Sequence, residues 1–115
     1  MAIGLNIAIE QSGGVHILKL EGRVDAITTP ALEREVSNLY DAGHTKVLLD
    51  FSRVDYLSSA GMRLLLSSTK KFKGKGGGFA LCEVAEDVME LLSMAGFDKI
   101  LSIFRTEEDA IKVMG

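Results

Sequence analysis

Short apolar runs alternate with amphipathic stretches along most of this chain, and few architectures accept that order. Lys46 to Phe51 is a near-continuous apolar run, the pattern of a strand covered on both faces at the centre of a sheet. Met62, Leu65, Leu66, Thr69 and Phe72 then recur at helical spacing, and Gly74-Lys75-Gly76-Gly77-Gly78 breaks that helix before a strand over Phe79 to Glu83. A further helix presents Val88, Leu91, Leu92 and Ala95, with Glu86 and Asp87 in its first turn and Gly96 beyond its end. Ile100 to Phe104 reads as a short strand. Thr106 caps a last helix carrying Ile111 and Met114, with Asp109 three residues on.

The opening is different in kind. Ile3, Leu5, Ile7 and Ile9 alternate with smaller or polar residues, Ser12-Gly13-Gly14 turns the chain, and Val15 to Leu20 returns it as a hairpin partner. Thr29 and Pro30 give a helix start, with Thr29 as the cap. Leu32, Val36, Leu39 and Tyr40 supply the apolar face, and Gly43 the stop. The resulting order, β-β-α-β-α-β-α-β-α, predicts an α/β fold. Its sheet is mixed but mostly parallel, with right-handed crossovers, an N-terminal antiparallel hairpin strand and about four helices.

At 115 residues the chain is expected to form one domain over 1–115 around a single core. Its net charge of −3 argues against an electrostatic hold on nucleic acid. The basic run Lys70, Lys71, Lys73 and Lys75 falls at a helix C-terminus, where cations complement the dipole. Cys82 is the only cysteine, which excludes an internal disulfide and suits a reducing compartment. Its apolar surroundings make it a packed small hydrophobe. With no leader-like or membrane-spanning run, a soluble cytoplasmic protein without membrane contact is expected.

Catalytic constellations are hard to build from these residues. The glycine loop at 74–78 runs from helix to strand, the reverse of a nucleotide-binding loop. Ser58 and Ser59 sit at a strand-to-helix turn, but they lack the Gly-x-Ser-x-Gly elbow and a triad histidine. His16 and His44 are widely spaced from each other and from Cys82, so no metal site and no cofactor are expected. Glu107, Glu108 and Asp109 read as helix-start residues. What remains is the turn Asp55-Tyr56-Leu57-Ser58-Ser59-Ala60-Gly61-Met62-Arg63. There a hydroxyl can cap the helix, or can carry a phosphate beside unpaired N–H groups and the positive end of the dipole. The two roles are compatible.

Leu20-Glu21-Gly22-Arg23-Val24-Asp25-Ala26-Ile27-Thr28-Thr29-Pro30-Ala31-Leu32, followed by Val47-Leu48-Leu49-Asp50-Phe51-Ser52-Arg53-Val54 and Ser58-Ser59-Ala60-Gly61, resembles the STAS family. Within it, the chain is similar to the free-standing bacterial anti-sigma factor antagonists, and the likeness covers nearly its whole length. The resemblance implies a STAS-like fold and a partner switch rather than an enzyme. The unphosphorylated antagonist binds an anti-sigma factor that is also a serine kinase, and so frees a sigma factor to act in transcription. Phosphorylation ends that binding, and a serine phosphatase restores it. The implied acceptor is Ser59, two residues before Gly61. Many members carry Asp where this chain has Ser58, which leaves Ser58 as a minor alternative.

The resemblance also places the loop of Asp25 beside the serine turn. Asp25 is then either a kinase contact or part of a helix-start turn with Thr28 and Thr29. Met62 is either core or exposed contact. Arg63, one turn after Ser59, either reaches the phosphate or is solvated. A STAS interaction or scaffold module in a non-sigma pathway is the alternative function. A transporter-attached STAS domain is disfavoured for want of a membrane span.

Overall fold

Gly13 and Gly14 both adopt positive φ, 58° and 81°, as the tight turn that matches the twist of antiparallel strands requires. In the computed structural model, which describes residues 4–115, this turn joins β1 (Leu5–Ser12) to β2 (Val15–Val24) in unbroken antiparallel register from Ser12↔Val15 to Leu5↔Gly22. Ile3, read as part of the first strand, lies outside the described residues. The remaining strands are parallel: β3 (Lys46–Leu57), β4 (Gly78–Cys82) and β5 (Ser102–Phe104) follow in the spatial order β1-β2-β3-β4-β5. The expected α/β order is the order found.

Because each crossover moves one strand in the same direction, its helices share one face of the sheet. Helices α1 (Thr29–Asp41), α2 (Ser59–Gly74) and α3 (Glu86–Met94) bury Leu32, Val36, Leu39, Leu64, Leu65, Phe72, Val88 and Leu92 there. Val47, Leu49, Phe51, Phe79 and Leu81 meet them from the strands. The last helix, α4 (Glu107–Met114), lies on the other face and covers a smaller cluster of Val15, Ile17, Leu48, Ala80 and Cys82 with Ala110.

Several boundaries depart from the sequence reading, each for a local reason. The central strand does not stop at Phe51 but runs on to Leu57, pairing with β2 as far as Val24↔Leu57. Register shifts between Lys19 and Glu21 and between Gly22 and Arg23 accommodate it. Beyond Phe51 the buried positions fall at Val54 and Leu57, a spacing of three that strict alternation does not reveal. Helix α1 begins at Thr29 itself, and its Thr28 cap makes no side-chain cap bond. Thr28 Oγ1 accepts from Asp25 N–H and donates to the Arg23 carbonyl, so it is already engaged.

The buried face of α2 is Gly61, Leu64, Leu65, Ser68 and Phe72. Met62, Leu66 and Thr69 flank it and are only half-buried. Strand β4 ends one residue earlier than expected, since Glu83 turns out of it at φ 58°. Ala95 is exposed at the end of α3, and the cap of a 3-10 turn over Phe97–Lys99 takes up Ile100, so the last strand starts at Ser102 and Ile100 is left exposed.

Some polar groups are buried with the strands. Asp50, buried on the α4 face, lies 3.5 Å from Lys19 Nζ, which also reaches Glu107 at 3.0 Å. Burial pushes the Cys82 thiol up to about 12, which removes it as a nucleophile at neutral pH. Lys75, in the basic run, donates to the Tyr40 carbonyl at the end of α1 at 2.8 Å and sits over the Tyr40 ring.

His16, on β2, stacks against His44 with ring centroids 3.9 Å apart, and its Nδ1 is buried without a partner among the described residues. Desolvation first, and the His44 charge second, hold its pKa below the usual 6.5. The unfolded chain therefore binds this proton more readily than the folded one. Stability is full above about pH 6.5 and falls as the pH drops from there through the folded-state value. Thermal melts between pH 8 and pH 5 should show that decline, and His16→Gln should flatten it.

Candidate functional site

The partnership Val24↔Leu57 decides where the site forms, because the loops leaving β2 and β3 emerge side by side from the same end of the sheet. Ser58 follows Leu57 in extended conformation (φ −87°, ψ 171°), and its N–H donates to the Val24 carbonyl at 2.8 Å. Its Oγ accepts from Gly61 N–H at 3.2 Å and its carbonyl accepts from Met62 N–H at 2.9 Å. Ser58 is thus the helix cap, with its main polar groups engaged. Ser59 is the first residue of α2 and is exposed. The two hydroxyls that looked alike in sequence have separate surroundings: one is bound into the turn and the other faces solvent.

Gly61 makes this geometry possible. A Cβ there would stand 2.7 Å from both Leu57 Cδ1 and Val24 Cγ1, so the first turn of α2 rests directly on the ends of the two strands. No side chain fits that gap without moving its neighbours.

The adjacent loop is tightly organised. Asp25 Oδ1 accepts from the N–H groups of Ile27 and Thr28, each at 3.0 Å, and Oδ2 lies 3.5 Å from Arg23 Nε. Thr29 donates both its N–H and its hydroxyl to the Asp25 carbonyl, at 2.9 and 2.6 Å. Hydrogen bonds from the Thr28 and Ile27 backbone keep the Asp25 carboxyl below its ordinary pKa. The guanidinium of Arg23 lies 4.4 Å from the centre of the Tyr56 ring.

This network holds Ile27 in the loop with 88% of its surface exposed. The sequence reading did not single out Ile27, Arg23 or Tyr56. An isoleucine isolated in a polar segment was the available signal. Met62 is partly buried and packs against the main core, while Arg63 is exposed and enters none of the ion pairs among the described residues. No group of three or more metal-ligating side chains occurs among the described residues, and no helix is long and apolar enough to cross a membrane.

Residues 6–110 match the STAS domain family. The chain belongs to the STAS family. Among its relatives is a Bordetella bronchiseptica protein, provisionally named as the anti-sigma factor antagonist BtrV. It is 32% identical over 106 residues, covering 92% of this chain and 91% of that one. The crystal structure of an anti-sigma factor antagonist from Mycobacterium paratuberculosis superposes with a TM-score of 0.88 at 25% identity, over 96% and 94% of the two chains. The Bacillus cell fate determinant SpoIIAA, solved in its phosphorylated form, shares the fold (TM-score 0.73, 19% identity, 96% and 100% coverage). The STAS fold therefore accounts for the five-stranded mixed sheet. In this STAS chain the serine turn and the Asp25 loop form one continuous surface at the C-terminal ends of β2 and β3.

Proposed function

We propose that this STAS chain is an anti-sigma factor antagonist controlled by phosphorylation at Ser59. Unphosphorylated, it binds an anti-sigma factor that doubles as a serine kinase, and the sigma factor is released. Phosphate on Ser59 ends the binding, and a serine phosphatase renews it. The chemistry belongs to those partners, in the cytoplasm, and this chain supplies the surface that they recognise.

The division of labour between the serines is the observation that carries the reading. With Ser58 holding the cap, Ser59 is free to be modified without loss of a fold-stabilising bond. A phosphate there brings about −1.5 to −2 charges to the positive end of a helix, where the fold tolerates them. The switch consequently acts across the interface, through repulsion and desolvation, with the domain intact. Arg63, one turn on, is the nearest cation along α2 to answer that charge.

Asp25 acts here mainly from within. With its carboxylate engaged by the backbone and by Arg23, it fixes the loop that presents Ile27. Ile27 is the exposed apolar anchor of the partner surface. Ile27→Ala should weaken partner capture about tenfold or more by titration calorimetry, as truncation of an anchor residue does. Its melting temperature should stay at the wild-type value, since so exposed a side chain adds little to the core.

Incubation with ATP and a lysate of the source organism, followed by mass spectrometry, tests the acceptor. A single phosphate at Ser59, lost in Ser59→Ala, is expected. Phosphate at Ser58 would move the acceptor by one residue. No phosphate, with a control substrate labelled, would instead favour an unmodified interaction module in a non-sigma pathway.

A further inference from the structure

Strand β1 forms one edge of the sheet, and among the described residues its outer side lacks the usual protection. Sheet edges are ordinarily blunted by lysine, proline or a bulge. The segment Leu5–Ser12 contains neither residue, carries Glu10 as its only charge, and pairs with β2 without a register shift. Ile9 is 46% exposed on it.

The register shows which groups are free. Arg23 N–H donates to the Gly4 carbonyl, so Gly4, and by alternation Asn6, Ala8 and Glu10, direct their backbone groups inward to β2. Leu5, Ile7, Ile9 and Gln11 direct theirs outward. Their side chains fall on the face of the three crossover helices, where Leu5 and Ile7 pack against the main core.

We infer that this edge pairs with the same edge of a second copy, β1 against β1 antiparallel, about a two-fold axis at Ala8. Outward groups must meet outward groups, which restricts the possible registers. Centring on Ala8 pairs all four outward residues, with Ile7 opposite Ile9 and Leu5 opposite Gln11, and sets Asn6 opposite Glu10 of the other copy. The small alanines then face each other at the closely spaced, non-hydrogen-bonded position. The isoleucines form one apolar patch, and Glu10 meets a neutral amide. Centring on Glu10 would instead oppose like charges across the axis. One strand pair is a small contact, so the dimer is a weak one.

Sedimentation equilibrium from low micromolar to millimolar concentration is the test. The weight-average mass should rise from 12.4 kDa toward twice that value. Ile9→Pro removes an N–H that β2 does not use, so it should remain monomeric at 1 mM with a cooperative melt. Should that variant fail to fold, cysteine pairing gives a second test. Ala8→Cys should cross-link between copies under mild oxidation, because its partner lies at the axis, and Asn6→Cys should not. A wild-type mass that stays at 12.4 kDa at 1 mM would overturn the inference and leave the edge to a different partner. So would a folded Ile9→Pro that dimerises as well as wild type, or equal cross-linking at both cysteine positions.

Discussion

Ser59→Asp is expected to lose partner binding by more than about a hundredfold while melting within a degree or two of the wild-type protein. A cost of about 3 kcal/mol at the interface produces that change, since about 1.4 kcal/mol is tenfold. The fold should be indifferent because the exposed first position of α2 welcomes a negative charge. Ser58→Ala should behave in the opposite sense. Loss of the bond from Gly61 N–H removes about 1 kcal/mol of stability while leaving the acceptor hydroxyl in place. Calorimetric titration against the cognate kinase, with thermal melts of both variants, separates the two roles. If Ser59→Asp binds as tightly as wild type, Ser59 is not the switch.

A large loss of stability should come from Gly22→Ala. Gly22 stands at φ 126°, a conformation that side chains rarely adopt, and a Cβ there would run into the Gly4 carbonyl oxygen. The obstacle is the backbone of Gly4 and Leu5 rather than the far end of a flexible side chain, so it does not yield cheaply. We expect a loss of about 2–4 kcal/mol and a fall in melting temperature of about 10 °C. Gly74→Ala is the control: it meets nothing within 4 Å, and it should melt near wild type. Because Gly22 immediately precedes Arg23 and the Asp25 loop, Gly22→Ala should also weaken partner capture beyond what its lower melting point explains.

Which features could be read before the coordinates follows from the kind of interaction behind each. Element order and the sheet's mixed character were legible, because periodicity and glycine punctuation report directly on burial. The run to Leu57 was not, because bulges break the alternation that marks a strand. The face of α2 was read one position off, since glycine and serine carry no hydrophobic signal yet are buried on it.

At the site, the sequence presented Ser58 and Ser59 as equivalent. Only backbone geometry tells the residue that accepts from Gly61 from the one that faces outward. Asp25 and Ile27 depend on a web of contacts between the loop and its own backbone, which no spacing rule announces.

The serine that faces solvent does so from the first turn of a helix seated on two strands, beside a loop from a distant part of the chain. Cut out as a short peptide, Asp55–Arg63 would keep its letters and lose this shape, for an isolated segment of that length does not hold a helix in water. If Ser59 is the acceptor, its kinase meets a tertiary epitope rather than a linear consensus. Selectivity in such a pathway is then written in surface contour, and chains with the same local letters on another scaffold would pass unrecognised.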